Sequence, residues 1–209
     1  YADKIGAEFI VWDDKGNHTL PHYRKLDICD LLEKYERILY IDTDILIRED
    51  APNIFNTVPI EEFGILEEGR FAERQQGMMQ FLVQHKINPN DWNKKYYNTG
   101  VMVISQHHKH LFLQPPVEHD HFREQTYLNL VINMFRPKIH TLNYKFNRLS
   151  VMDRISAEQR YDSYFMHYAG AADAMPNAEL LNLMRKNLAV WKASGGKHYY
   201  QKKLVIITE

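Results

Sequence analysis

Cysteine is almost absent from the chain, because the only one among 209 residues is Cys29. A single thiol cannot form an internal disulfide, so the fold is not expected to depend on an oxidising compartment, and Cys29 is assigned to the core of a helix. Long apolar runs are absent too: none approaches the roughly 20 residues of a membrane-spanning helix, and no signal segment opens the chain. A cytoplasmic protein without a transmembrane segment is therefore expected.

Neither sign of charge is in excess. The chain has 26 lysine and arginine residues against 27 aspartate and glutamate residues. A nearly neutral protein has no global field that attracts nucleic acid or an anionic membrane, so no nucleic-acid partner is expected. Internal repeats, low-complexity segments and linkers are also missing, and residues 1–209 are predicted to form a single domain.

The most informative stretch is residues 37–47, with the sequence Arg-Ile-Leu-Tyr-Ile-Asp-Thr-Asp-Ile-Leu-Ile. A continuous apolar run rich in β-branched residues is typical of a strand that is buried on both faces. In an extended strand, Asp42 and Asp44 project to one side and Thr43 to the other. Because carboxylates so close together repel each other, the pair predicts a cation beside them.

The position of this acidic pair favours a phosphate-bearing ligand. In an open α/β sheet, ligands bind at the carboxyl ends of the strands. A divalent ion held by two carboxylates keeps coordination positions for phosphate oxygens. The alternative is that Asp42 begins a turn and Asp44 caps the next helix.

The rest of the chain alternates between predicted strands and helices. Apolar runs predict strands at residues 8–12, 59–66, 101–104, 138–142, 164–170 and 204–208. Periodic apolar patterns predict helices at residues 21–35, 70–86, 124–134 and 178–191. Strand, helix and strand at this spacing indicate a right-handed parallel crossover. The predicted fold class is therefore α/β, with a mixed, mostly parallel sheet flanked by helices.

Histidines crowd one polar segment, at His107, His108, His110, His119 and His121. They could contribute to a zinc site, but their spacings match no closed tetrahedral signature and no cysteine is near, so a solvated loop is favoured. His167 lies on an apolar strand, where a lone histidine is more often a core residue than a ligand. Gly170 keeps the ligand interpretation open, since glycine allows a backbone to approach phosphate closely.

Several short motifs occur in a fixed order along the chain. They are Tyr-Arg-Lys-Leu at 23–26, Leu-Tyr-Ile-Asp-Thr-Asp at 39–44, Asn-Thr-Gly-Val at 98–101, Glu-Gln-Thr-Tyr-Leu-Asn at 124–129 and His-Tyr-Ala-Gly at 167–170. Together they resemble the GT-A nucleotide-sugar glycosyltransferases, most closely glycosyltransferase family 8, the group of glycogenin and the bacterial lipopolysaccharide galactosyltransferases. The resemblance covers roughly residues 1–170 and implies a Rossmann-like GT-A fold.

The resemblance implies a metal-dependent enzyme of carbohydrate biosynthesis. It would move a hexose from a nucleotide diphosphate sugar, expected to be a UDP-sugar, to a hydroxyl of a carbohydrate, lipid-linked or protein acceptor. By position, Asp42, Asp44 and His167 would hold Mn²⁺ or Mg²⁺ against the diphosphate. Glu124 and Gln125 match the family's catalytic Asp-Gln pair beneath the anomeric carbon. The donor-binding residues would be Lys25, Thr43, Asn98, Thr99, Gly100 and Gly170, with Asn98 facing the transferred sugar.

The family retains the anomeric configuration, which leaves two mechanisms. In a double displacement Glu124 would be the nucleophile. In a front-face mechanism, which is favoured, Gln125 and Glu124 would stabilise positive charge on the sugar ring. Glu124 also has a purely structural interpretation as part of a helix N-cap region. The acceptor is expected to meet Glu67, Glu68 and residues 143–148.

Three features depart from the family pattern. The family's first strand and base contacts are expected upstream of Tyr1, and Glu124 replaces the usual Asp. No Lys-Pro-Trp follows Gly170, so Lys186 or Lys192 would have to contact the diphosphate.

Two other functions therefore stay open. One is a non-catalytic relative that binds sugar or a partner protein through a vestigial donor site, although the presence of all three metal ligands argues against it. The other is a sugar nucleotidyltransferase, which would need a Gly-rich basic phosphate loop that the sequence lacks.

Overall fold

The computed structural model describes residues 1–11, 21–113, 115, 123–156, 158, 160–170 and 175–193. The chain divides into two compact units. The first unit comprises Tyr1–Asp13, Ile41–Ile54 and Asn143–Glu209, and the second comprises Asp14–Tyr40 and Phe55–Leu142. Each unit is therefore assembled from segments that are distant in sequence.

The described residues form five α-helices and seven strands, joined by short 3₁₀ helices and turns. The α-helices are α1 (Ala2–Ile5), α2 (Ile28–Leu31), α3 (Ala72–Gln84), α4 (Arg123–Phe135) and α5 (Asn177–Ala193). The strands are β1 (Arg37–Ile41), β2 (Ile45–Ile47), β3 (Phe63–Glu67), β4 (Tyr97–Ser105), β5 (Ile139–Thr141), β6 (Arg148–Leu149) and β7 (Phe165–His167). None of the described helices combines the length and apolar character needed to cross a bilayer.

The second unit is built on a four-stranded sheet in the order β1-β4-β3-β5. Strand β3 pairs antiparallel with β4, with Gly64 opposite Val103, and parallel with β5, with Phe63 opposite Ile139. Strand β4 lies inside the sheet and is buried along its whole length. Strand β1 lies at the edge and is only partly buried.

Helix α4 supplies much of the core of the second unit. Its apolar residues Leu128, Val131 and Ile132 recur at the spacing of one helix face and are buried in one cluster with Met102 and Ile104 of β4. Fully burying an aliphatic side chain of this size stabilises the fold by about 1.5–3 kcal/mol. In addition, the Thr99 N–H donates to Gln125 Oε1 at 3.1 Å, so the first turn of α4 lies close to the start of β4.

The first unit is built on a three-stranded sheet in the order β2-β7-β6. Strand β2 pairs antiparallel with β7, and β6 pairs parallel with β7. Helix α5 packs Leu180 and Met184 into one cluster with Leu46, Met166 and Tyr168. The central strand β7 is thereby held by a strand on each side and by a helix.

The predicted α/β class is confirmed, and the sheets are mixed. Of the four strand pairs whose register is described, two are parallel and two antiparallel, so parallel pairing does not predominate among them. The helices predicted at 70–86, 124–134 and 178–191 correspond to α3, α4 and α5. The helix predicted at 21–35 is instead a 3₁₀ helix, Pro21–Asp27, followed by the single turn of α2.

Two strand predictions need correction. Residues 37–47 are not one buried strand, because the chain turns at residues 42–44, and β1 and β2 join different sheets. No strand is present among residues 7–11, so the strand predicted at 8–12 is wrong over its described part. Trp12 and the strand predicted at 204–208 lie outside the described residues.

Candidate functional site

The turn between β1 and β2 carries Asp42, Thr43 and Asp44. The antiparallel ladder of β2 and β7 sets Ile45 opposite His167. It is extended by a hydrogen bond in which the Tyr168 N–H donates to the Asp44 carbonyl at 3.0 Å. Strand pairing within the first unit therefore brings His167 beside the acidic turn.

The side chains of Asp42, Asp44 and His167 converge. His167 Nε2 lies 3.2 Å from Asp44 Oδ1 and 3.8 Å from Asp42 Oδ2. Each residue offers one ligand atom, and these three atoms lie within 4.8 Å of one another. The histidine side chain is 3% exposed and that of Asp42 29%, so the cluster is closed at the imidazole and open to solvent at Asp42.

The chemistry of this set fits a small divalent cation. Carboxylate oxygens together with an imidazole nitrogen suit Mn²⁺, and carboxylate oxygens suit Mg²⁺. Three protein ligands leave coordination positions for oxygens of water or phosphate. The turn interpretation is correct for the backbone at Asp42, but Asp44 caps no helix because β2 follows it directly.

The remaining ring nitrogen of His167 is held inside the first unit. His167 Nδ1 lies 2.8 Å from Oδ1 of the buried Asn147. Ser150 Oγ donates a hydrogen bond to the His167 carbonyl at 3.3 Å. Sequence reasoning placed Asn147 only within the stretch 143–148 expected to meet the acceptor, because it is the register of β6 on β7 that brings it to the histidine.

A second polar cluster is buried in the second unit and contains Lys25, Thr99 and Glu124. Lys25 Nζ lies 2.6 Å from Glu124 Oε1 and donates to Thr99 Oγ1 at 3.1 Å. The two charged side chains are each 6% exposed. Because a buried charge without a partner is strongly destabilising, each of these residues requires the other.

Gln125, the next residue in α4, has both ends of its amide engaged. Its Oε1 accepts from the Thr99 N–H at 3.1 Å, and its Nε2 donates to Glu68 Oε1 at 3.0 Å. Glu68 forms an ion pair with Arg74 at 2.9 Å. Burial raises the pKa of the neighbouring Tyr96 to about 12, so its phenol stays protonated at neutral pH. The amide of Gln125 is therefore fixed in orientation.

The other predicted donor-binding residues fall into the same two units. Asn98 and Gly100 flank Thr99 on β4, and Asn98 Oδ1 accepts from the Gly100 N–H at 3.0 Å. Thr43 is exposed between the two aspartates. Gly170 has a φ of 76°, and apart from its chain neighbours no atom of the described residues lies within 4 Å of where its Cβ would be. Lys25, Asn98, Thr99, Gly100, Glu124 and Gln125 thus belong to the second unit, and Asp42, Thr43, Asp44, His167 and Gly170 to the first.

The residues expected to meet the acceptor differ in burial. Glu68, Phe146, Asn147 and Arg148 are buried, which disfavours them as acceptor contacts. Glu67 and residues 143–145 are more exposed and stay candidates.

The histidine segment was predicted to be a solvated loop, but residues 106–111 form the 3₁₀ helix Gln106–Leu111. His108 is buried there, and burial lowers its pKa to about 4. His107 and His110 belong to no metal-binding group in the described part of the chain. His119 and His121 lie outside it.

Comparison with known proteins identifies a family. The model of the family described as glycosyl transferase family 8 matches residues 12–172. A search of curated proteins gives no match.

Solved structures provide further matches. The galactosyltransferase LgtC, in complex with donor and acceptor sugar analogues, is 17% identical with a TM-score of 0.52, and the match covers 84% of this chain and 68% of LgtC. Mouse xyloside xylosyltransferase 1, in its apo form, is 15% identical with a TM-score of 0.49, covering 77% of this chain and 68% of that protein. The likeness to LgtC shows a shared fold, which confirms the GT-A-like α/β architecture.

Proposed function

Because the chain belongs to glycosyltransferase family 8, we propose that it is a metal-dependent, retaining hexosyltransferase. The donor is a nucleotide diphosphate sugar, with UDP as the expected nucleotide, and the acceptor supplies a hydroxyl. The observation that carries this proposal is the convergence of Asp42, Asp44 and His167 within 4.8 Å in the first unit. A vestigial donor site would have no need of three intact ligands.

In this proposal Asp42, Asp44 and His167 hold Mn²⁺ or Mg²⁺. When bound, the ion acts as a Lewis acid that neutralises charge on the departing diphosphate. Gly170 is exposed after β7, and its positive φ disfavours most other residues there. This supports a donor phosphate contact at Gly170, with Thr43 contributing from the acidic turn.

Lys25 and Glu124 support the front-face route over a double displacement. A carboxylate 2.6 Å from an ammonium group is stabilised as an anion and is correspondingly a weaker nucleophile. Its negative charge still favours positive charge that develops on a sugar ring. Gln125, whose amide is oriented by Thr99 and Glu68, contributes a fixed dipole that also stabilises this positive charge. Asn98 is proposed to contact the transferred hexose.

Calorimetric titration with UDP tests the donor site. We expect the wild-type protein to bind UDP when Mn²⁺ is present and to lose that binding when the metal is removed. Asp44→Ala should abolish the metal-dependent binding, because it removes one of three ligands. Asp50→Ala is the matched control, since Asp50 lies in the same unit but has an exposed side chain that pairs with Arg48, and this variant should bind UDP as the wild type does.

A screen of UDP-hexoses then tests the reaction, with the anomer of the product followed by NMR. Transfer or hydrolysis with retention supports the proposal. Binding of UDP without turnover of any UDP-hexose supports the non-catalytic relative instead. UDP binding that is indifferent to both Mn²⁺ and Asp44→Ala contradicts the metal-dependent donor site, as does the absence of UDP binding in every condition.

A further inference from the structure

We infer that Asn147 is a positioning residue for the metal centre, which holds His167 in the tautomer whose Nε2 lone pair faces Asp42 and Asp44. This inference rests on the proposed metal site and names a residue on which that site depends. It is carried by the geometry around the two nitrogens of the imidazole ring.

The first observation is the place of Asn147 in the chain. It follows the 3₁₀ helix Tyr144–Phe146 and immediately precedes β6, and its N–H donates to the Tyr144 carbonyl at 3.0 Å. The parallel register sets Leu149 of β6 opposite His167 of β7. The asparagine is completely buried. Its side chain is therefore fixed by the same strand pairing that fixes the histidine backbone.

The second observation is the contact itself. Asn147 Oδ1 lies 2.8 Å from His167 Nδ1. An amide oxygen accepts hydrogen bonds and cannot donate them, so the ring nitrogen facing it carries the proton. In a neutral imidazole with Nδ1–H, the other nitrogen bears the lone pair. Nε2 is then free to act as a metal ligand.

The third observation explains why the tautomer needs to be fixed. His167 Nε2 faces Asp44 Oδ1 at 3.2 Å. A proton on Nε2 could donate a hydrogen bond to that carboxylate and would occupy the position required by a cation. By offering an acceptor to Nδ1–H, Asn147 favours the competing tautomer, as partners of metal-ligating histidines commonly do.

Other contacts of His167 are made by its backbone. Ser150 Oγ donates to its backbone carbonyl, and its backbone pairs with Ile45 of β2 and Leu149 of β6. These contacts place the residue, whereas the contact with Asn147 is made by the ring. Asn147 is thus distinguished from residues that only support the strand.

The first test measures the tautomer in metal-free wild-type protein. The ¹⁵N chemical shifts of the two His167 ring nitrogens, recorded at alkaline pH, should show a protonated Nδ1 and an unprotonated Nε2. An Nε2–H tautomer overturns the inference. This measurement needs no variant and no donor.

The second test measures Mn²⁺ affinity by calorimetry in variants. Asn147→Leu removes the acceptor while keeping the same branched heavy-atom skeleton, and it should weaken Mn²⁺ binding about 10- to 100-fold. Asn147→Asp keeps an acceptor and should retain both the Nδ1–H tautomer and Mn²⁺ binding. Asn187→Leu is the matched control, because it removes another buried amide of the first unit, one that contacts Tyr161 and Tyr168, and it should leave the affinity unchanged.

The outcomes separate this inference from the proposed function. A wild-type protein that binds no Mn²⁺ contradicts the proposed metal site. A wild-type protein that binds Mn²⁺, together with Asn147→Leu that binds it equally well, contradicts the role of Asn147 alone. If Asn147→Leu does not fold, Asn147→Asp and the tautomer of the wild type still decide the question.

Discussion

Lys25 and Glu124 show how single residues constrain the chemistry of the second unit. Their side chains come from a 3₁₀ helix and from the first turn of α4, and only the packing of α4 brings them together. Removing a charge from water is costly, and the cost is offset only when a partner and good hydrogen bonds are present. The pair therefore couples the stability of the unit to Glu124, one of the two residues proposed to act on the sugar.

Lys25→Met tests this coupling. It leaves the Glu124 carboxylate buried without its cation and should lower the free energy of unfolding by about 3–5 kcal/mol, as measured by urea denaturation. The double variant Lys25→Met, Glu124→Leu should recover most of that loss, since no charge is left buried. Lys109→Met, at the exposed pair of Lys109 with Glu33, is the control and should cost about 0–1 kcal/mol. A loss in Lys25→Met no larger than in the control would show that the pair is not shielded from water.

The contributions of individual residues were only partly predictable. The acidic pair stands out because Asp42 and Asp44 interrupt an apolar run, and that local contrast is visible in the sequence. The contact of Lys25 with Glu124 spans 99 positions along the chain, and no periodicity reports such a distance. The contact of Asn147 with His167, 20 positions apart, was missed for the same reason.

Among the elements, strands β3 and β4 pack closely at a glycine. A Cβ at Gly64 would lie 2.8 Å from Val58 Cγ2 and 3.0 Å from Val103 Cβ. Contacts this short require the neighbouring side chains or the strand to move. The glycine therefore sets how closely β3, β4 and the segment that contains Val58 pack.

Gly64→Ala should lower the free energy of unfolding by about 1–3 kcal/mol, because it overpacks a well-filled core. The same substitution in a Val58→Ala background should cost less, since the nearest clash is removed, and the difference is measured by a double-mutant cycle. An equal cost in both backgrounds would assign the effect to something other than the contact with Val58.

Elements defined by internal periodicity were predicted better than elements defined by pairing. Helices α3, α4 and α5 carry their apolar stripes within their own sequence, so they were found with small errors at the ends. Strand β4 begins at Tyr97 rather than Val101, because β3 pairs with it there, with Glu67 opposite Tyr97, and Asn129 of α4 exchanges two further hydrogen bonds with the Tyr97 backbone. The break between β1 and β2 arises because the two halves pair in different sheets, which an uninterrupted apolar pattern does not reveal.

For the whole molecule, the main feature is the division into two units with separate sheets. All three proposed metal ligands belong to the first unit, as do the strands β2, β6 and β7 that position His167. Binding of a metal stabilises the folded form of the region that binds it, by an amount set by the metal concentration relative to Kd. The effect of Mn²⁺ on local opening should therefore be concentrated in the first unit.

Amide hydrogen exchange measures this effect. At an Mn²⁺ concentration 100 times Kd, amides of β2 and β7 that exchange through opening of the first unit should exchange about 100-fold more slowly. Amides of β3 and β4 serve as the internal reference and should change less, and Asp44→Ala should show no slowing in either sheet. Equal slowing in both sheets would show that the units open together. No slowing in the wild type would contradict the metal site.

The interleaved order of the segments also bears on how the protein is made. The last segment of the second unit ends at Leu142, whereas the first unit needs β6, β7 and α5, which follow it. On the ribosome, every residue of the second unit is therefore polymerised before the histidine that completes the acidic cluster. Asp42 and Asp44 are synthesised before the second unit is complete and His167 after it, so a nascent chain acquires all three proposed metal ligands only once every residue of the second unit has been made.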